Sequence, residues 1–257
     1  MAAQDWLTPV GLFVGGGLVM GLVTFSARAR LQTDARRGRN EIFAVYLTLA
    51  SALLGTYLGF LTVSVWESRS AAESSARLEA ADLLVLLRLS GTQPEPRRAR
   101  LQDAVLHYTQ SIQEKEWPRM MSENPGQLFH RSPELDLIWS ILLEPGVADS
   151  PYASSAVDRL SALAAARESR LLVSTTKLSP YIWFTIGAGT FINLLLLMLL
   201  RVEEAKLHAL VTGCCVGLML NMLWGIYDLQ TPYVGSWSVT AQPFSEAAMQ
   251  MKALTTR

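Results

Sequence analysis

Few residues in this chain are of a type and spacing that does chemistry, and most of them sit inside apolar runs. Between Phe43 and Trp66, the residues Thr48, Ser51, Gly55, Gly59, Thr62 and Trp66 recur every three or four positions. On a helix that spacing stacks them on one narrow face of hydroxyls and small side chains. Repeated around the axis of an oligomer, such a face would line a wet path. Leu54, Leu58 and Phe60 would then supply a hydrophobic constriction. Thr48, Ser51, Gly55, Gly59 and Thr62 are therefore pore-lining candidates. Two acids, Glu41 and Glu67, mark the ends of this run, as vestibule charges or as ordinary boundary groups solvated by water.

Other apolar runs carry similar lines. Thr185, Gly189 and Asn193 recur every four residues, and so do Gly213, Gly217, Asn221 and Gly225, with Asp228 close to that line. Gly11, Gly15, Gly17 and Gly21 punctuate the first run. Small residues at such spacing let helix backbones approach, and Asn hydrogen-bonds across a helix pair. Gly189, Asn193, Gly213, Gly217, Asn221 and Asp228 are thus expected to serve helix packing or polar contacts within the membrane. No ring of acids or bases stands inside these runs.

Catalytic signatures are absent. The chain has no GxxxxGK[ST], HExxH or GxSxG, and Gly15–Gly17 lies inside an apolar run where no phosphate loop forms. His107, His130 and His208 are scattered, and Glu114-Lys115-Glu116 reads as a solvated face. Cys214 and Cys215 are adjacent in an apolar run, which excludes an ordinary bridge between them and a Cys-based zinc site. Neither an enzyme nor a cofactor or metal is expected.

The elements that carry these lines are four runs of about 20 residues: Trp6–Phe25, Phe43–Trp66, Tyr181–Leu200 and Leu207–Leu229. They contain no Lys, Arg, Asp or Glu except Asp228. That length crosses a hydrocarbon core of about 30 Å. Trp6, Trp66, Tyr181, Trp183, Trp224 and Tyr227 mark their ends, at the headgroup level that such rings favour. The N-terminus has no basic n-region, so the first run reads as a retained helix rather than a signal peptide. Composition agrees. The 257 residues are 50% hydrophobic and 17% charged, with 22 basic and 22 acidic residues. A soluble domain has about 25% charged residues. Disorder and nucleic-acid binding both need a charge excess that is missing.

Between the second and third runs lies an insert that reads as helical. The stretch from Ser70 to Ser90 has no breaker separating it from the second run. Leu101, Val105, Tyr108 and Ile112 form the apolar stripe of a helix over Arg97–Trp117, closed or kinked by Pro118. Ser122–Gln127 reads as a loop. Leu135–Leu143 is a short helix, and Ala153–Leu178 a long one. The expected organisation is residues 1–66 (first and second transmembrane helices), 67–179 (helical extramembrane insert), 180–229 (third and fourth transmembrane helices) and 230–257 (tail). The fold class is all-α, an integral membrane protein with four transmembrane helices and a helical-bundle insert. Basic residues Arg28, Arg30, Arg36, Arg37 and Arg39, with Arg201 and Lys206, crowd the two short loops. The positive-inside rule places those loops in the cytoplasm and the insert and termini outside.

Several blocks resemble the bestrophin-like family of small bacterial membrane proteins. They are Val65-Trp66-Glu67 with Ala71-Ala72-Glu73 and Leu78-Glu79-Ala80-Ala81; Tyr108 with Glu116-Trp117-Pro118; and Arg167-Glu168-Ser169-Arg170-Leu171. Leu207-His208-Ala209-Leu210 and Tyr227-Asp228-Leu229-Gln230-Thr231-Pro232-Tyr233-Val234-Gly235 complete them. Together they cover the chain from about Asn40 to the tail. The resemblance implies a fold like that of bestrophin anion channels, assembled around an axis, with insert and termini in the cytoplasm, opposite to the charge rule. The family's phenylalanine-rich pore neck is not evident: Phe60 is the only Phe in the middle or exit half of the second run. The expected function is a homo-oligomeric, channel-like protein of the cell (inner) membrane, passing small inorganic ions, anions among them, with the second span on the axis. The expected partners are the lipid bilayer, further copies of the chain and those ions, with no nucleic acid. The rival is a non-conducting membrane scaffold or sensor whose insert binds a partner.

Overall fold

The computed structural model describes residues 7–30, 37–122, 132–144, 153–200 and 204–255. Every regular element among them is helical: α1 (Leu7–Arg30), α2 (Arg37–Ser90), α3 (Arg97–Ser111), a π-helical turn (Ile112–Glu116), α4 (Trp117–Met120), α5 (Pro133–Leu142), α6 (Ala153–Thr175), α7 (Pro180–Leu199), α8 (Ala205–Leu229) and α9 (Gln242–Thr255). The chain divides into two compact units, Met1–Trp66 with Lys177–Gln230, and Glu67–Thr176 with Thr231–Arg257.

Four helices are long and apolar enough to cross a membrane, with spans at Thr8–Ser26, within Asn40–Ser90, at Pro180–Leu199 and at Ala205–Leu229. In the first unit their side chains behave as lipid-facing groups do. Leu22, Phe60, Phe184 and Leu210 are each more than 60% exposed. Water would penalise such apolar surface, whereas hydrocarbon does not. Helix α7 begins with Pro180 after Ser179, whose hydroxyl accepts from the Tyr181 N–H at 3.3 Å. This is the start the sequence dictates: proline lacks the donor that a first turn leaves unsatisfied anyway.

Helices α1 and α8 pair along their length. Glycine makes this possible. A methyl group on Gly17 would lie 2.8 Å from the Gly213 carbonyl oxygen, and one on Gly213 would lie 2.6 Å from the Gly17 oxygen. One turn on, a methyl at Gly217 would collide with the Phe13 carbonyl. The second packed seam joins α2 to α7 and α8, where Leu54, Leu58, Leu61 and Val65 are buried with Ile186 and Ile226. Trp183 and Tyr227 meet edge-on at 6.1 Å.

The second unit has its own core. The α2 stripe Ala72, Ala76, Ala80, Leu83 and Leu87 packs with Leu101, Val105 and Tyr108 of α3, Ile138 of α5, Leu160 and Leu163 of α6, and Phe244 and Met251 of α9. Three details differ from the sequence expectation. Of the two outcomes expected at Pro118, closure does not occur: the chain continues to Met120, with a π turn just before the proline, which falls in the first turn of α4, where no N–H is needed. Helix α6 ends at Thr175 instead of Leu178. The tail, to which the sequence reading gave no element, contains α9, whose Phe244, Ala247 and Met251 point into the core at helical spacing. Of the expected Ser122–Gln127 loop, only Ser122 is among the described residues.

Candidate functional site

Thr48, Ser51, Gly55, Gly59 and Thr62 are all exposed in the single chain. A methyl group on Gly55 or Gly59 would meet nothing within 4 Å. The line lies roughly a quarter turn around the helix from the packed stripe Leu54–Leu58–Leu61–Val65, by helical geometry. Thr48 and Thr62 donate to carbonyls one turn back, Ala44 and Leu58, both at 2.8 Å. Within a span this satisfies the hydroxyl proton and leaves the oxygen's remaining acceptor capacity facing outward. Ser51 differs. Its hydroxyl donates to Asn193 Oδ1 at 2.6 Å, and Asn193 Nδ2 donates to the Gly189 carbonyl at 3.0 Å. A methyl on Gly189 would touch Leu54 at 3.0 Å, so this glycine keeps α7 close to α2.

The other candidates on the apolar helices sit in different settings. Gly213 and Gly217 form the close α1–α8 approach already described, and Asn221 Nδ2 donates to the Pro9 carbonyl at 3.2 Å. Asp228 is half-buried near the end of α8. Gly225 meets nothing within 4 Å. Cys214 and Cys215 are free and exposed. His107 is exposed and His208 buried, while His130 lies outside the described residues. Among the described residues no three His, Cys, Asp or Glu side chains gather as metal ligands would.

The second unit holds an arrangement that the sequence did not single out: a buried cluster of charges. Arg170 of α6 is fully buried, as is Glu79 of α2. Arg170 donates from Nε to Glu79 Oε2 at 2.6 Å and from Nη2 to Glu79 Oε1 at 3.0 Å, a two-pronged pair. Its Nη2 also reaches Glu116 Oε2 at 2.7 Å. Arg167, one turn earlier, donates to Glu116 Oε1 at 2.6 and 3.0 Å. The Tyr108 hydroxyl donates to Glu79 Oε1 at 2.7 Å, and the Tyr233 hydroxyl to the Arg170 carbonyl at 3.2 Å. Trp117 and Phe244 place ring faces 5.8 and 5.7 Å from the guanidinium carbon. Two cations and two anions sum to zero, which is what burial demands.

The electrostatics follow from this enclosure. Burial raises the Glu116 carboxyl, but Arg170 and Arg167 outweigh it and hold the group below its usual range. Burial and the adjacent Glu79 charge push the Tyr108 hydroxyl well up, so it remains a donor. Burial would lower Arg170, yet Glu79 and Glu116 raise it, so its charge is permanent. The π turn sets this up. Glu114 and Lys115 are exposed as the sequence suggested, but Glu116 turns inward, because the wider turn adds a residue and rotates the chain ahead of Trp117. The available signal was Glu79, an acid standing on the Ala72–Ala76–Ala80–Leu83 stripe.

A smaller pair sits at the start of α5. Ser132 caps the helix, accepting from the Leu135 N–H at 3.3 Å. Glu134 accepts from Ser111 at 2.9 Å and from Lys115 at 3.3 Å. Partial burial pushes its carboxyl up, but its own N–H, Ser111 and Lys115 prevail and hold it at about 2. A depressed carboxyl contributes stability above its unfolded value of 4.5, lost as the pH falls toward 2. The thermal midpoint of wild type should therefore exceed that of Glu134→Gln by a constant amount above about pH 5, and the gap should close between pH 4.5 and 2. A gap independent of pH would refute this assignment.

Against known proteins, the Bestrophin-like domain model matches residues 11–244. The chain belongs to the Bestrophin-like family. No curated protein sequence matches it. Two crystal structures of a bacterial bestrophin homolog from Klebsiella pneumoniae share its fold. One, a tryptophan-to-alanine variant, is 11% identical, with a TM-score of 0.74 and 100% of each chain covered. The other, phased with zinc, is 12% identical, with a TM-score of 0.74 and coverage of 96% of this chain and 99% of that one. At such identity the likeness is one of fold. Three of the bestrophin-like sequence blocks, the ones carrying Glu79, Tyr108 with Glu116-Trp117, and Arg167 with Arg170, converge on the buried charge cluster, joined there by Tyr233.

Proposed function

We propose that this bestrophin-like protein is a homo-oligomeric, ion-conducting channel of the cell membrane, with α2 lining the axis and small inorganic ions, anions first, as what it passes. The observation that carries the proposal is the face of Thr48, Gly55, Gly59 and Thr62, a strip of hydroxyls and small residues that the chain's own packing leaves uncovered. Lipid offers no partner for such a strip; water in a shared pore does. Family membership and the bestrophin-like fold support the same direction. Residues 1–66 and 180–229 would be the membrane part, and 67–179, a bundle joined by the 230–257 tail, the extramembrane part. In the scaffold alternative the same face would be closed by contacts within one chain, and the Ser51–Asn193 hydrogen bond is the observation that favours it.

Reconstitution of variants separates the two. Gly55→Trp, in open space, should cut unitary current at least severalfold while leaving the oligomer intact. Ala162→Trp, exposed on α6, should leave current unchanged. Equal currents from wild type and Gly55→Trp would remove α2 from the axis.

A further inference from the structure

Helices α1 and α8 enclose an apolar groove of about 440 Å³, lined by Phe13, Val14, Leu18, Leu22 and Leu210 around the glycine seam. That volume lies in the range of ligand sites. Both helices are long and apolar enough to span, so the groove faces hydrocarbon. Its lining is apolar except at one end, where Lys206, exposed on the first turn of α8, stands near Phe25. No side chain caps the start of α8 at Glu204. In sequence, Arg28 and Arg30 close α1 and Lys206 opens α8 against the single acid Glu204, a basic excess.

An apolar trough with a cation at its mouth is complementary to one molecule abundant in its surroundings. We propose that the groove seats an acyl chain of an anionic phospholipid, with Lys206 binding the phosphodiester headgroup. The lysine stem follows the apolar wall while its ammonium reaches the interface. A zwitterionic lipid would fill the same trough but neutralise the gain at Lys206, so the site discriminates by charge. This inference is independent of conduction.

The test is native mass spectrometry of the full-length protein, released from micelles holding equimolar phosphatidylglycerol and phosphatidylcholine of matched chains. Wild type should carry about fivefold more phosphatidylglycerol adduct than phosphatidylcholine, the discrimination expected of one interfacial lysine. Lys206→Gln should bring the ratio near one. Leu22→Trp, a change at an exposed position that fills the trough, should reduce both adducts. Equal adducts in wild type, or a phosphatidylglycerol preference that survives Lys206→Gln, would overturn the proposal. So would a lipid-free wild type whose oligomer mass falls in Leu22→Trp, because a second copy would then occupy the groove.

Discussion

Replacing Arg170 by alanine should cost about 3–5 kcal/mol of stability, the range for removing one partner of a buried ion pair. The cost lies less in the lost attraction than in what remains. Glu79 would be a fully buried carboxylate with one hydrogen bond, from Tyr108, and Glu116 would keep only Arg167. Trp117 and Phe244 would also face a void where the guanidinium stood. The double variant Glu79→Leu with Arg170→Met removes both charges and refills the space, and should recover more than half of that loss. Thermal unfolding of the purified protein in one detergent, followed by helical circular dichroism, measures both. An Arg170→Ala midpoint within 1 °C of wild type would mean that the cluster contributes nothing to the fold.

The second large effect is expected at the α1–α8 seam. Gly213→Ala places a methyl 2.6 Å from the backbone oxygen of Gly17, and backbone cannot swing aside as a long side chain can. The helices must part, at a cost of about 1–3 kcal/mol, and Gly213→Leu should prevent pairing. The same substitution at Gly15 or Gly225, where a methyl meets nothing within 4 Å, should change stability by no more than about 0.5 kcal/mol. Unfolding in mixed micelles of increasing sodium dodecyl sulfate compares the three alanine variants directly. Equal midpoints would refute close helix approach as the reason for the Gly213 line.

The four spans were legible because hydrocarbon imposes one rule, an uncharged run of about 20 residues, and Phe43–Trp66 or Tyr181–Leu200 obeys it without exception. The all-helical class followed, as did the family, from blocks distributed along the chain. Partner choice was not legible. The pairs Gly213–Gly217 and Gly55–Gly59 have the same four-residue spacing, yet one is closed by α1 and the other is open within the chain, because spacing defines a face and only the fold decides what covers it. The cluster was hidden for a related reason. Glu79, Glu116 and Arg170 are far apart in sequence, and Glu116 reads there as part of a solvated face. Glu116 was further disguised by a π turn that shifts the helical period by one residue. Helix α9 was missed because its short apolar stripe, Phe244, Ala247 and Met251, lies among polar residues.

The most direct test of the channel proposal is electrical. The purified protein, its oligomer verified by mass, is reconstituted in a planar bilayer under asymmetric KCl. A channel gives discrete currents that reverse on the chloride side of zero voltage, and Gly55→Trp diminishes them. Silence from a verified, folded oligomer across the physiological voltage range would contradict conduction and leave the scaffold.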